Sequence, residues 1–176
     1  LDGKVVFKSG DSRQRNNYLF YNTQLTLANG LDLYSFATLN ERKSDGSAYF
    51  RYPGDPSNVP ALYPNGYRPV TNGDKRDLSI VAGVRGSAGE WNWDASARHG
   101  SDRFDYGVSH SVNASLGAAS PTRFKLAGFD FRQNALNLDA TRSIDIGLPA
   151  PLSLAVGAEW MRETYTSSAG DPASYA

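Results

Sequence analysis

The chain has 176 residues, with 18 basic side chains balanced by 18 acidic ones, two histidines and no cysteine. That balance leaves no net field to draw in nucleic acid, which is not expected as a partner, and the missing cysteine removes disulfide frameworks and thiolate metal sites. A mean hydropathy of -0.48, with no run of about 18 apolar residues, excludes a membrane-crossing helix but not a transmembrane β-barrel, whose strands alternate lipid-facing and lumen-facing residues and average out as polar.

The chain starts at Leu1 without a methionine, so a fragment or a processed chain is expected. From Tyr18 to Ala28, Leu19, Tyr21, Leu25 and Leu27 alternate with Asn22, Gln24 and Thr26, the period of two that marks a strand. Asn29-Gly30 predicts a two-residue hairpin turn, since both residues tolerate positive φ, and Leu31 to Lys43 reads as the returning strand. The stretch from Ser44 to Lys75 follows no period and carries Pro53, Pro56, Pro60, Pro64 and Pro69, a density that strand and helix interiors do not tolerate.

Strand character resumes with Leu78, Ile80, Ala82 and Val84, and a short turn near Gly89 leads into Trp91, Trp93, Ala95 and Ala97. Around His99 to Asp102 the apolar phase changes from odd to even, reaching Phe104, Tyr106 and Val108, which predicts a bulge or a turn there. A second irregular stretch covers Asn113 to Phe131. Two clear strands follow, one with Leu136, Leu138, Ala140, Ile144 and Ile146 on one face, the other with Leu152, Leu154, Val156, Ala158 and Trp160; a short turn at Leu148 to Pro151 joins them.

Short and long connections alternate along the chain, ending in a further long segment from Ser167. In an up-and-down antiparallel sheet this sends every short turn to one end and every long loop to the other. Together with about six long strands, it predicts an all-β fold: part of a transmembrane β-barrel with short periplasmic turns and long extracellular loops. Trp91, Trp93 and Trp160 fall where aromatic girdles at the two membrane interfaces would lie, although half-buried sheets of soluble proteins also favour tryptophan. Arg142 resists this reading: on an apolar face it would cost about 2–4 kcal/mol at mid-membrane and about 0–1 near an interface, so either the band ends there or the register slips.

Catalytic and metal chemistry is weakly signalled. His99 and His110 read as isolated surface histidines; the glycines at 83, 86 and 89 lack the following helix of a phosphate loop; Ser109 and His110, adjacent on a strand, face opposite sides. Asp45, Asp55 and Asn58 lack the spacing of a calcium loop and read as turn formers. No enzymatic activity, cofactor or metal is expected. Asp94, Arg98, Asp139, Asp145, Glu159 and Glu163 fit a polar strand face, lumenal or solvated. The densest aromatic and arginine cluster, Tyr49, Phe50, Arg51, Tyr52, Tyr63, Tyr67 and Arg68, lies in the first long loop and is the candidate ligand-binding set, with packing of the loop on itself as the alternative.

The stretch from Arg76 through Phe124, together with "NLDATR" and "AVGAEWMRETYTSSAGDPASY", resembles the barrel domain of TonB-dependent outer-membrane receptors, and "YPNGYRP" resembles the motif that closes an extracellular loop before a barrel strand. The likeness runs from about residue 18 to the C-terminus. It implies a piece of a larger barrel in the bacterial outer membrane, in contact with membrane lipid, importing a siderophore, vitamin or glycan with energy from the TonB complex. Residues 1–176 would be a partial barrel, with the plug domain that meets TonB lying outside this chain. The alternative expectation is a soluble all-β domain that recognises carbohydrate or protein through its long loops.

Overall fold

Six long strands, β1 (Arg13–Thr26), β2 (Asp32–Ser47), β3 (Val70–Ala88), β4 (Trp91–Ser109), β5 (Arg123–Ile144) and β6 (Leu152–Ala169), pair in sequence order as one antiparallel up-and-down sheet. They are seen in a computed structural model that describes residues 8, 10 and 12–175. Helix among these is limited to two 3-10 segments, Ala114–Ala119 and Pro172–Ser174. The sheet is open, with β1 and β6 each paired along one edge.

The turn chemistry explains the short connections. Gly30 takes φ 82° and its N–H bonds the Leu27 carbonyl at 3.0 Å, while the Leu27 N–H bonds Leu31 at 2.8 Å. Asn29 keeps a negative φ, so this is a wider connection closed by one left-handed glycine and not the expected two-residue turn. Between β3 and β4 the two-residue turn is Gly89-Glu90, with glycine at the first central position and φ 60°.

Strands extend further toward the loop end than periodicity predicts. β2 continues to Ser47 and β3 begins at Val70, so the first irregular segment shrinks to residues 48–69; β5 begins at Arg123, not after Phe131. The β2 and β3 extensions are mostly polar on both faces, and the β5 extension carries Phe124, Leu126, Phe129 and Phe131 on no single face, so none shows the alternation that reveals a strand. The predicted bulge or turn at His99 to Asp102 is absent. β4 pairs with β3 in unbroken register from Trp91 to Ser109, and its one irregularity against β5 lies between Tyr106 and Gly107. The apolar residues change faces instead: Phe104 and Tyr106 point to the side opposite Trp91 and Trp93. Asp145 and Ile146 likewise fall past the end of β5, where the Asp145 carboxylate accepts the Gly147 N–H at 2.9 Å in the turn.

Register assigns each side chain to a face. One face gathers Leu19, Tyr21 and Leu25 of β1, Leu33, Ala37 and Leu39 of β2, and Leu78, Ile80, Ala82 and Val84 of β3. On β4 to β6 it continues through Trp91, Trp93, Ala95 and Ala97, Leu136, Leu138 and Ala140, and Leu154, Val156, Ala158 and Trp160. Ser35 fits within this band because its hydroxyl meets the Val81 carbonyl at 2.8 Å and the Tyr21 hydroxyl at 2.9 Å.

The band runs obliquely to the strand pairing. Toward the loop end it stops at Leu19, Leu39 and Leu78, which share one register row, but on the other strands at Ala97, Leu136 and Trp160, whose row meets β3 at Ala82, four residues on. Toward the turn end it stops at Leu25 and Leu33, the row of Val84, but on β5 and β6 at Ile144 and Leu152, a pair beyond Arg142 and Leu154 and six residues past that row. Four to six residues at about 3.3 Å each, across five strand spacings of about 4.8 Å, incline the band by roughly 30–40°.

Arg142 lies just inside the turn-end edge of this band, one same-face position short of Ile144. It pairs with Trp91 beside the Gly89-Glu90 turn, forms an ion pair with Glu90, and holds its guanidinium carbon 6.0 Å from the Trp91 ring centre. The register does not slip there.

The opposite face is more polar, with Phe20, Phe36 and Val81 also pointing to it. The Tyr34 hydroxyl crosses above Gly83 to donate to the Asp94 carboxylate at 2.7 Å, a reach that a side chain at position 83 would block. Arg85 bonds Gln24 at 3.0 Å and Asp32 at 3.4 Å, and Gln133 bonds Glu163 at 2.6 Å. Among the described residues only Ala37, Val59, Tyr67, Phe124 and Ala135 form a buried apolar set. Among the described residues no second layer covers either face of the sheet, so there is no interior to bury its leucines.

Candidate functional site

The long segments gather at one end of the sheet, and the first of them, residues 48–69, folds on itself. Ala48 bonds Pro69 at 2.9 Å, and Arg51 and Tyr67 exchange backbone hydrogen bonds at 2.7 and 2.9 Å, closing the neck of the loop. Inside it, the buried Asn58 amide donates to the Pro53 and Tyr63 carbonyls, both at 3.1 Å, tying the two arms together. The Asp55 carboxylate accepts the Ser57 hydroxyl at 2.6 Å and the Ser57 N–H at 2.9 Å, and these bonds hold its carboxyl below the usual aspartate value.

Within "LYPNGYRP" the bend is made at Gly66, with φ 75° and its N–H bonded to the Tyr63 carbonyl at 3.1 Å. A Cβ at this position would run into the Arg51 carbonyl, so the neck closes only around glycine. The bend stacks Tyr63 on Tyr67, with ring centres 4.6 Å apart and planes at 26°. Burial raises both phenols above the ordinary tyrosine value, and the Tyr67 hydroxyl donates to the Ser57 carbonyl at 3.2 Å. The second long loop turns through Ala114–Ala119, and its Asn113 amide donates to Ala173 at 2.9 Å, joining it to the segment beyond β6.

The seven candidate residues divide between two surroundings. Phe50, Tyr63, Tyr67 and Arg68 line a recess of about 390 Å³ with Gly66, Val70 and His110. Tyr49 and Tyr52 are exposed, the latter with its ring edge-on to Phe50 at 5.3 Å, and the Arg51 side chain is exposed as well. His110 was read as an isolated histidine, but it lines the recess in a left-handed conformation, φ 52°, that is uncommon for a non-glycine residue. His99 is not isolated either: its Nδ1 lies 2.8 Å from the Asn134 side-chain oxygen. Asp45 is held by the Asn72 amide at 2.7 Å on the β2–β3 pair, while Asp55 and Asn58 are engaged within the loop as described.

A second aromatic group lies on the polar face near the loop end. Tyr106, Phe104, Phe129 and Tyr165 form, in that order, a ladder with successive ring centres 6.2–6.4 Å apart and planes within 28°. Phe104 lies over Gly73, where a Cβ would approach its ring to 3.1 Å. The phase change in β4 was the sequence trace of this ladder.

The chain matches no protein-family model and no curated protein. What it can do is therefore argued from its own surfaces. They offer a slanted apolar band, a polar opposite face, and an aromatic recess with a cation and an imidazole at the loop end.

Proposed function

We propose that this chain is part of an outer-membrane β-barrel of the TonB-dependent receptor kind, which captures a scarce nutrient at extracellular loops and imports it with energy delivered by the TonB complex through a plug outside this chain. One observation carries the membrane reading: the apolar band inclines by roughly 30–40°, close to the roughly 35–45° strand tilt of transmembrane barrels, so a band level with the bilayer would have this slant. The two sheet edges would pair with further strands, and lipid would cover the face that no protein layer covers.

In this reading Trp91, Trp93 and Arg142 lie at the periplasmic interface and Trp160 at the outer one. The recess around Phe50, Tyr63, Tyr67, Arg68 and His110 faces the medium and supplies ring faces, a guanidinium and an imidazole to a polar, ring-bearing nutrient such as a siderophore, vitamin or glycan. The function is binding followed by energised gating. A soluble binding domain would need a second layer over the slanted band.

Expression of the intact gene product tests the proposal. Detergent-dependent solubility, heat-modifiable gel mobility and nutrient uptake that stops when the TonB complex is removed are expected. A monodisperse protein in detergent-free buffer would sink the membrane reading, and uptake indifferent to the TonB complex would sink the receptor reading.

A further inference from the structure

We propose that the aromatic ladder on the polar face is a binding site for a neutral oligosaccharide, separate from the recess in the loops. The inference rests on the receptor reading above, in which this face turns into the barrel interior, and it selects a glycan among the nutrients named there.

The ladder leads away from the loops. Tyr106 and Phe104 stand two residues apart on β4, Phe129 pairs directly with Phe104, and Tyr165 pairs with Phe131, one same-face position beyond Phe129. Tyr165 therefore lies four residues nearer the turn end than Tyr106, a descent of about 13 Å at roughly 3.3 Å per residue. Tyr106 in turn precedes His110 of the recess by four residues, so a chain-like ligand leaving the loops meets these rings next.

The rings keep faces free. Gly73, opposite Tyr106 on β3, has no side chain, and Phe104 rests in that space. Near-parallel rings with centres 6.2–6.4 Å apart lie at the wide end of the range for ring pairs, so neighbours overlap little. Tyr165 is exposed and the other three are half-buried.

A sugar ring packs its C–H groups on such a face and turns its hydroxyls to side chains that donate and accept. Two donor–acceptor pairs flank the ladder. Lys75, opposite Phe104, holds Asp102 at 2.6 Å, and beyond Tyr165 the Gln133 amide donates to Glu163 at 2.6 Å. Gly100, opposite Gln133, leaves the sheet open between them, since a Cβ there would meet nothing closer than 3.9 Å.

Charge and shape select the ligand. In the four rows from Tyr106 to Gln133 this face carries Arg42 and Lys75 against Asp77, Asp102 and Glu163, so it offers no positive field to an anionic ferric complex or a phosphate. Four rings at nearly equal steps across three strands suit a ligand that repeats, whereas a compact vitamin would cover one or two.

The test titrates the full-length protein, in a detergent without a sugar headgroup, with maltohexaose, cellohexaose, xylohexaose and mannohexaose and with the corresponding disaccharides, read by isothermal calorimetry. At least one hexasaccharide should bind, and more tightly than its own disaccharide, which spans only part of the ladder. Tyr165→Ala and Phe129→Ala should each weaken that binding by about three- to tenfold, whereas Tyr165→Phe, which keeps the ring, should retain it. Tyr165 is exposed on an edge strand, so Tyr165→Ala keeps the test valid if Phe129→Ala misfolds. No binding of any of the four hexasaccharides, equal affinity for hexasaccharide and disaccharide, or unchanged binding in Tyr165→Ala would overturn the proposal. Binding of a ferric tricatecholate that Tyr165→Ala abolishes would assign the ladder to an anionic complex and also overturn it. Because binding is read without uptake, uptake indifferent to the TonB complex would refute the receptor reading, a separate result.

Discussion

The slant of the apolar band can be measured by placing one arginine at four positions in two register rows. Tyr21 and Asn134 share one row, linked through Ala37, Ile80 and His99; Leu25 and Leu138 share another, linked through Leu33, Val84 and Ala95. Because the band slopes, Tyr21 lies inside it and Asn134 outside, whereas Leu138 lies inside and Leu25 at its rim. Arginine costs about 2–4 kcal/mol facing lipid at mid-membrane and about 0–1 near an interface. Tyr21→Arg and Leu138→Arg should therefore each destabilise the barrel by about 2 kcal/mol more than Asn134→Arg and Leu25→Arg, roughly thirtyfold in the folding equilibrium. Denaturant titration of the full-length protein in phospholipid vesicles, followed by tryptophan fluorescence, reads the difference. Equal costs within each row would mean a band parallel to the pairing rows and would refute the inclination.

Further expectations concern the loop. Asn58→Ala, by removing both amide bonds across its arms, should destabilise the loop by about 1–3 kcal/mol and speed proteolytic nicking within residues 48–69, with barrel mobility on gels unchanged. Gly66→Ala should act similarly, since it forces a side chain into a left-handed position facing the Arg51 carbonyl. The raised phenols of Tyr63 and Tyr67 keep their packing intact below the unfolded value near pH 10 and lose it as pH rises through the folded values. Replacing both with phenylalanine should remove part of the late-titrating phenolate absorbance, and an unchanged curve would contradict their burial. For the recess, Arg68→Ala and His110→Ala should weaken nutrient uptake while the folded barrel persists, and unchanged uptake would reduce it to a packing feature.

The strands that alternate apolar and polar residues, such as Leu136 to Ile144, were legible because each has one face to bury. The extensions of β2, β3 and β5 were not, since residues such as Asp45, Asp74 and Lys125 belong to stretches with no steady period and pair only because a neighbouring strand continues. The change of phase in β4 was seen but misassigned: sequence alone does not distinguish a flipped strand from a straight one whose aromatics move to the other face. The loop cluster was found from composition. Its division into buried Tyr67 and exposed Tyr49 depends on the glycine bend and the Asn58 clamp, which act across the loop. His110 reads as isolated in the sequence because its place in the recess comes from backbone conformation and from a loop distant in sequence.

The central claim is that the slanted face meets lipid. Because this chain has no cysteine, single cysteines at Tyr21, Leu138 and Val156 on that face, at Asn137 and Glu159 on the other, and at Arg162 beyond the band can each carry a spin label. Collision with oxygen and with a water-soluble nickel complex, measured for the full-length protein in bilayers, reports the surroundings of each label. The account predicts oxygen-dominated collisions at Tyr21, Leu138 and Val156 and nickel-dominated ones at Arg162, with neither lipid signature at Asn137 and Glu159. Nickel access at Tyr21, Leu138 and Val156 equal to that at Arg162 would contradict it.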